Sequence, residues 1–130
     1  MTTPPQSYQS PTDRFSFDDM AARLDDHRDG HFNAYEACCG RQLRAGRGDV
    51  TALVHESCDG QVSRLSYAEL DAQSARLAGW FQERGLGVGD RIASMLPRTP
   101  ALLITVLATW RIGAVYQPLF TAFGPDAVDH

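Results

Sequence analysis

The stretch Arg91–Pro118 reads RIASMLPRTPALLITVLATWRIGAVYQP. It begins with a short apolar run, Arg91–Leu96, and ends with another, Ala114–Gln117, and a longer apolar segment lies between them. Pro97 closes the first run and Gly113 precedes the second, as expected where a helix is flanked by strands. The pattern predicts a strand, a helix and a second strand, with the two strands parallel.

The central helix of this unit has clear boundaries and an unusual surface. Pro100 suits the first helical position, and Thr99 is predicted to cap the helix with its hydroxyl. From Ala101 to Ile112 the segment is apolar nearly all round, interrupted only by Thr105, Thr109 and Arg111. The two threonines, one turn apart, are expected to hydrogen-bond back to helix carbonyls. Such a helix needs cover on several sides, which the 28 residues of the unit are too few to supply.

Composition bounds the class of protein. The chain has 130 residues, of which 43% are hydrophobic and 22% charged, as is ordinary for one globular domain. The net charge is −4, whereas nucleic-acid-binding proteins usually carry a basic patch. The sequence also contains no run of basic residues that would favour binding to an anionic membrane.

All 12 basic residues are arginines, because the sequence contains no lysine. A lysine Schiff base, a phosphate-loop lysine and an adenylate-positioning lysine each need the ammonium group that only lysine carries. Those three kinds of site are therefore excluded within these 130 residues.

Targeting signals and disulfide patterns are not evident in the sequence. Three cysteines, Cys38, Cys39 and Cys58, have neither the spacing of a zinc ribbon nor that of a disulfide framework, which favours reduced thiols. The N-terminus does not resemble a secretory signal, and Ala101–Ile112 is shorter than the ~20 residues that span a bilayer. We expect a soluble, cytoplasmic protein with a flexible segment over residues 1–16.

Upstream of the strand–helix–strand unit, two short helices are predicted between Phe17 and Arg44. The first ends near Gly30 and the second spans Asn33–Leu43, with Asn33 in the N-cap position. A β-hairpin follows, with one strand at Thr51–His55 and its partner at Val62–Leu65.

A capping box then starts an amphipathic helix. Ser66 and Glu69 have the S-x-x-E spacing in which each side chain accepts a hydrogen bond from the other residue's backbone. Apolar residues recur at helical spacing along one stripe, at Tyr67, Leu70, Leu77, Ala78 and Phe81. Gly85 suits a left-handed C-cap, and Leu86 is expected to fold back onto the last turn.

The glycines of Gly85–Gly89 could be mistaken for a phosphate-binding loop. Phosphate and dinucleotide loops follow a strand and open a helix, so that the helix N-terminus faces the anion. Here the glycines follow a predicted helix and precede a predicted strand. The segment is therefore interpreted as a capping turn.

Histidines and cysteines offer weak candidates for metal or nucleophilic chemistry. His27 and His31 stand four apart, but Gly30 lies between them and no H-E-x-x-H pattern is present. His55 is expected to face solvent or a polar neighbour, and Cys58 is interpreted as an exposed loop thiol without a basic neighbour to activate it. No G-x-S-x-G motif supports hydrolase chemistry.

Motifs in the second half of the chain resemble the start of the large domain of adenylate-forming enzymes. The matching segments are Ser66–Leu70 (SYAEL), Gly87–Ala93 (GVGDRIA), Pro97–Pro100 (PRTP) and Gly113–Leu119 (GAVYQPL). They follow one another in the order of that family, which includes acyl-CoA synthetases, adenylation domains of peptide synthetases and luciferases. Ala101 departs from the glutamate that many members carry there.

The residues after the last strand favour one branch of the family. Pro118–Gly124 (PLFTAFG) resembles acetyl-, propionyl- and medium-chain acyl-CoA synthetases, whereas peptide-synthetase domains usually continue as P-L-D-P. The resemblance implies an α/β fold in which residues 17–130 form an incomplete N-terminal portion of the large domain, truncated before its catalytic segments.

The resemblance also implies a two-step reaction for a full-length member. A carboxylate and ATP, with Mg²⁺, give an acyl-adenylate, and coenzyme A then displaces AMP to form an acyl-CoA thioester, as in fatty acid metabolism. The phosphate loop ending in P-K-G, the aromatic-x-x-T-E segment, the adenosine-binding aspartate and the C-terminal lysine of the family have no counterpart in this sequence. No catalytic, cofactor-binding or metal-binding residue is therefore assigned.

Two hypotheses of different classes follow. The first is a fragment of an AMP-forming acid–CoA ligase, inactive alone, with a peptide-synthetase adenylation domain as the alternative within the family. The second is a non-catalytic interaction or dimerisation module that uses exposed apolar surface, through which self-association is expected.

Overall fold

The computed structural model describes residues 16–18, 27–28 and 31–122, and the remaining residues lie outside the description. The chain divides into two units, Met1–Phe32 and Asn33–His130. The predicted boundary at residue 16 stays a prediction, because residues 1–15 are not described. The elements in chain order are β1 (His27–Arg28), β2 (His31–Phe32), a π-helix (Glu36–Gly40), α1 (Arg41–Arg44), β3 (Thr51–Glu56), β4 (Val62–Ser66), α2 (Tyr67–Glu83), β5 (Arg91–Ser94), α3 (Pro100–Arg111) and β6 (Val115–Pro118).

In the first unit, β1 and β2 form a short antiparallel pair in which Arg28 lies opposite His31. The prediction that the helix from Phe17 extends to Gly30 is therefore wrong at β1. The sequence between the two strands is Asp29-Gly30, a dipeptide typical of tight hairpins, and this local signal outweighs a weak helical periodicity.

The second unit begins with the helical segment predicted at Asn33–Leu43. The side-chain oxygen of Asn33 accepts hydrogen bonds from the backbone N–H groups of Tyr35, at 3.0 Å, and Glu36, at 3.3 Å. The predicted N-cap is thus confirmed. The segment is nevertheless not one regular α-helix, because a π-helix precedes the single turn of α1.

The hairpin and the amphipathic helix agree with the sequence patterns. Strands β3 and β4 pair antiparallel, and both hydrogen bonds of the capping box between Ser66 and Glu69 are present. At the other end of α2, Gly85 adopts a φ of +79°, and the Leu86 N–H donates to the Phe81 carbonyl at 3.1 Å. These bonds confirm the left-handed C-cap.

The predicted strand–helix–strand unit is β5, α3 and β6, and its strands are parallel as expected. Pro100 is the first residue of α3, but the Thr99 side chain makes no capping bond. That part of the prediction is wrong. The Leu102 N–H donates instead to the Thr99 carbonyl at 3.0 Å, so Thr99 contributes its backbone rather than its hydroxyl.

Two apolar clusters hold the second unit together, and α3 contributes to both. The first contains Ala78, Phe81, Ile92, Ala108, Ile112 and Ala114, and it joins α2 and α3 to the parallel strands. The second contains Tyr35, Cys39, Leu70 and Leu107, with the hairpin packed against it. Among the described residues, no helix is long and apolar enough to span a membrane.

Candidate functional site

Gly85–Gly89 forms the turn that joins the C-terminus of α2 to β5. Gly85 and Gly89 have φ values of +79° and +84°, and the Asp90 carboxylate accepts the Gly87 N–H at 2.8 Å. The Gly87 N–H is thus taken by a carboxylate, the Gly85 and Gly89 N–H groups donate to backbone carbonyls, and the helix end that faces the turn is the negative one. The interpretation as a capping turn is confirmed.

The described histidines and exposed cysteines lie on separate elements of the two units. His27 and His31 lie on the antiparallel strands β1 and β2, where His27 pairs with Phe32 and His31 pairs with Arg28. His55 is half-buried on β3, and Cys58 is an exposed free thiol in the hairpin loop. Within the described part of the chain, no group of three or more His, Cys, Asp or Glu residues is placed to hold a metal ion.

The threonines of α3 have the backbone role predicted for them. The Thr105 hydroxyl donates to the Ala101 carbonyl and the Thr109 hydroxyl to the Thr105 carbonyl, each at 2.8 Å. Thr109 is completely buried, so its hydroxyl is satisfied by the helix and is not offered to a ligand.

A group of polar side chains, which we call the polar junction, joins the start of the second unit to α2 and α3. It consists of Tyr35, Asp71, Ser74 and Arg111. The Tyr35 hydroxyl and the Arg111 guanidinium both donate to the same carboxylate oxygen of Asp71. The same guanidinium also lies 3.3 Å from the Asp71 carbonyl oxygen and 3.5 Å from the Ser74 hydroxyl.

Stacking fixes the arginine of the junction in place. The Arg111 guanidinium carbon lies 3.8 Å from the centre of the Tyr35 ring, which is a cation–π arrangement. Its Nε atom is buried and has no hydrogen-bond partner among the described residues.

Burial and charge set the protonation states of the junction. Burial, reinforced by the hydrogen bond to Asp71, raises the pKa of Tyr35 far above its ordinary value. Burial would raise the pKa of Asp71 as well, but the hydrogen bonds from Tyr35 and Arg111 and the charge of Arg111 together lower it. Near neutral pH the junction thus holds a protonated phenol, an ionised carboxylate and a guanidinium.

These protonation states indicate that the polar junction has a structural role rather than a catalytic one. The phenol keeps its proton, and the lowered pKa of the Asp71 carboxyl makes its carboxylate a weak base near neutral pH. Cys39, the buried thiol nearby, has a pKa raised by burial and by the charge of Asp71, which disfavours the reactive thiolate.

A groove of about 400 Å³ opens where the parallel strands β5 and β6 end. At its floor the hydroxyls of Ser94 and Tyr116 lie 2.7 Å apart. Leu102 and Phe120 contribute apolar walls, and Arg98 contributes a positive charge. The carboxyl ends of parallel strands are where open α/β sheets bind ligands, which makes this groove the candidate site of the second unit.

Sequence patterns missed both the polar junction and the groove. Asp71 and Arg111 are 40 residues apart, and Arg111 stood out only as a charged interruption of an apolar helix. Ser94 and Tyr116 belong to strands whose parallel pairing was predicted. Placing those strands in register would have brought their ends together.

Comparison with known proteins gives the family. The model of the AMP-binding enzyme family matches residues 41–130. Acetyl-coenzyme A synthetase of Burkholderia lata is 35% identical over 101 residues, which cover 78% of this chain and 15% of that protein. The chain thus spans only a small part of the curated relative.

Solved structures agree with the sequence comparison. The acyl-CoA synthetase of Brucella canis superposes with a TM-score of 0.83 at 39% identity, over 95% of this chain and 22% of that one. The acetoacetyl-CoA synthetase of Streptomyces lividans has a TM-score of 0.67 at 27% identity, over 75% of this chain and 15% of its own. The predicted α/β fold, as one portion of an adenylate-forming enzyme, is confirmed. The chain belongs to the AMP-binding enzyme family.

Proposed function

We propose that this chain is a structural part of the large domain of an AMP-forming acid–CoA ligase, and that it carries none of the catalytic residues. The observation that carries the proposal is the parallel unit β5–α3–β6, which opens a groove at its strand ends and lies in a chain similar to acyl-CoA synthetases. The role of the chain is to position one wall of the ligand-binding side of that domain.

In the complete enzyme, a carboxylate and ATP would form an acyl-adenylate, and coenzyme A would then take the acyl group. The residues described here do not fit ATP and Mg²⁺. There is no lysine for the phosphates, no group of three or more His, Cys, Asp or Glu side chains placed for a metal, and no glycine loop opening a helix. We therefore assign no step of the reaction to this chain.

The one charged side chain of the groove's described lining suits ligand binding rather than catalysis. The Ser94 and Tyr116 hydroxyls are bonded to each other, and the only charged side chain of the groove's described lining is Arg98. An arginine guanidinium stays protonated under all physiological conditions, so it serves neither as an acid nor as a base near neutral pH. The groove can contact an anionic or amphipathic ligand through Arg98 and its apolar walls.

A segment exchange tests the proposal. In the Brucella canis acyl-CoA synthetase, the matching segment is replaced by this chain, and acid-dependent formation of AMP and acyl-CoA is measured. We expect the chimera to retain activity within about tenfold of the parent, because the exchanged residues shape a wall and take no part in the chemistry. A folded chimera without acyl-adenylate formation would contradict the proposal.

The chain by itself provides the complementary test. Incubated with ATP, Mg²⁺, coenzyme A and a panel of carboxylic acids, it is expected to form no AMP above the blank. AMP that depends on both the chain and an acid would show that the catalytic groups lie within these 130 residues, and the structural role would be wrong. The Arg98→Ala variant is the matched control, because AMP formation that depends on the groove should fall when this side chain is removed.

A further inference from the structure

A tryptophan is exposed on the side of α2 that does not pack on the core. The side that packs on the core contains the buried residues Leu70, Ser74, Ala78 and Phe81. Trp80 lies outside this set and is 47% exposed, and Arg76 and Glu83 near it on the helix are exposed as well. The charged side of an amphipathic helix ordinarily faces water. The exposure of Trp80 therefore follows from the side of α2 on which it lies, and we expect the same exposure within a larger domain.

Trp80 forms one wall of a shallow groove of about 410 Å³ between α2 and α3. Leu77 of α2 and Ile104 of α3 supply the other apolar parts of its lining, and both are half-buried. Gln73 and Arg76 supply polar groups. Because Leu77 packs against the first apolar cluster and Ile104 against the second, the core supports the apolar lining on both sides.

Arg84 holds the Trp80 side chain in place. The Arg84 guanidinium carbon lies 3.4 Å from the centre of the Trp80 ring, and its Nη1 atom donates to the Trp80 carbonyl at 3.2 Å. The Trp80 ring also meets the Phe81 ring edge to face, with centroids 5.7 Å apart. A side chain that is already ordered loses little conformational entropy when a partner covers it. Tryptophan and arginine are also among the residues that most often dominate the binding energy of protein interfaces.

The charge of this side of α2 determines which partner it favours. Arg76, Trp80 and Arg84 follow one another at intervals of four residues. The two arginines are therefore two turns apart, about 12 Å along the helix axis, with the tryptophan between them. Neither arginine forms an ion pair with another described residue, although Glu83 is the sequence neighbour of Arg84. Since the whole chain has a net charge of −4, an acidic partner is attracted here and repelled by the chain as a whole.

We propose that the groove between α2 and α3 binds an amphipathic, acidic helix of another protein. Apolar side chains of that helix lie against Leu77, Ile104 and Trp80, and its carboxylates pair with Arg76 and Arg84. An amphipathic helix in an apolar groove is a recurring mode of protein recognition. The inference goes beyond the proposed function and does not depend on it, because it uses neither the groove at the strand ends nor any step of acyl transfer.

Binding of designed peptides to this full chain tests the inference. The probe is a fluorescently labelled helical peptide with a row of leucines on one side and glutamates two turns apart beside that row. The control peptide has lysine in place of each glutamate. Fluorescence anisotropy should give a dissociation constant at least tenfold lower for the glutamate peptide, and this constant should rise with salt concentration. Equal binding of the two peptides would overturn the inference.

NMR chemical shifts of the unsubstituted chain locate the bound glutamate peptide. We expect the largest changes at the amides of residues 73–84 and around Ile104, which line or flank the groove. Largest changes in the hairpin or in the strands β5 and β6 would overturn the inference. Because this measurement needs no substitution, it decides the question even if a variant unfolds.

Substitutions separate the groove from the overall charge of the chain. Trp80→Ala removes one wall, so the dissociation constant of the glutamate peptide should rise at least tenfold. Arg76→Glu should also raise it at least tenfold, because a carboxylate then faces a carboxylate. Arg64→Glu makes the same charge change at an exposed residue of β4, and this matched control should stay within about threefold. Equal effects of the two charge reversals would overturn the inference.

The chimera with the Brucella canis acyl-CoA synthetase repeats the test in a larger protein. It should bind the glutamate peptide within about threefold of the chain alone, because the charged side of α2 is expected to stay exposed. A folded chimera that does not bind the peptide would overturn the inference, whether or not it is active. A folded chimera that binds the peptide but forms no acyl-adenylate would support this inference and contradict the proposed function.

Discussion

Asp71 is the residue on which the polar junction depends, because its carboxylate receives both the Tyr35 hydroxyl and the Arg111 guanidinium. Its side chain is 33% exposed and that of Arg111 is 25% exposed, so the pair is neither fully solvated nor fully buried. Pairs of this kind contribute more than exposed surface salt bridges and leave an uncompensated charge when one partner is removed.

We expect Asp71→Asn to lower the free energy of unfolding by about 2 kcal/mol at neutral pH, because the amide leaves Arg111 without its counter-charge. The folded-state pKa of Asp71 lies below its ordinary value. The stabilisation is therefore present above the unfolded pKa of about 3.9 and is lost as the pH falls through the lower folded pKa. Urea denaturation from pH 7 to pH 2 should show the difference from the unsubstituted chain shrinking below about pH 4.

Asp49→Asn is the matched control, because Asp49 is an exposed aspartate of the turn before β3. It should change the stability by less than about 0.5 kcal/mol. Equal effects of the two substitutions, or a difference at Asp71 that persists unchanged at pH 2, would mean that the junction does not hold the unit together electrostatically.

At the scale of elements, the turn after α3 brings two parts of the chain close together. Gly113 has a φ of +73°, and a Cβ atom there would lie 2.9 Å from a methyl carbon of Val88. Gly85, after α2, has a φ of +79° but has nothing within 4 Å of the corresponding position. The two glycines share a left-handed backbone and differ in their surroundings.

Gly85→Ala should therefore cost about 1 kcal/mol of stability, the usual cost of a left-handed alanine. Gly113→Ala should cost about 2 kcal/mol, because the methyl group also displaces Val88. Adding Val88→Ala should remove the excess, since Val88 is 88% exposed and contributes little itself. Thermal unfolding of the three variants and of the unsubstituted chain measures these costs, and an excess that survives Val88→Ala would contradict the steric explanation.

The elements that sequence predicted correctly are those with local causes. The capping box of Ser66 and Glu69 and the left-handed Gly85 act within a few residues, so spacing alone identifies them. The prediction of a hydroxyl cap at Thr99 was wrong because the Leu102 N–H donates to the Thr99 backbone carbonyl instead. The sequence does not show which of the two oxygens accepts this hydrogen bond. The link between Asp71 and Arg111 depends on how α2 packs on α3, and no pattern within either helix encodes that packing.

At the scale of the second unit, α3 is an interior helix with incomplete cover. Leu107, Ala108 and Thr109 are buried, whereas Leu102, Leu103 and the following residues to Val106 are only half-buried. A groove of about 380 Å³ with largely apolar walls lies between this part of α3 and the strand β3. The sequence predicted that this helix is covered on several sides. Among the described residues, the side of α3 that faces this groove remains partly exposed.

An exposed apolar side chain is ordinary on the antiparallel hairpin but unusual on the parallel pair of β5 and β6. Val62 is 48% exposed on the antiparallel hairpin, and such hairpins ordinarily keep one face in water. Val115 is 53% exposed on the parallel pair, whose faces are ordinarily both covered. The chain alone should therefore self-associate through the face that carries Val115, with a sedimentation coefficient that rises with concentration.

Val115→Lys places a charge on that face and should reduce the rise in sedimentation coefficient at least severalfold, with little change in stability because the side chain is already half in water. Val62→Lys is the matched control and should leave self-association unchanged. Sedimentation velocity over a hundredfold range of concentration distinguishes the two. If both lysines act equally, net charge rather than the open face of β5 and β6 governs association.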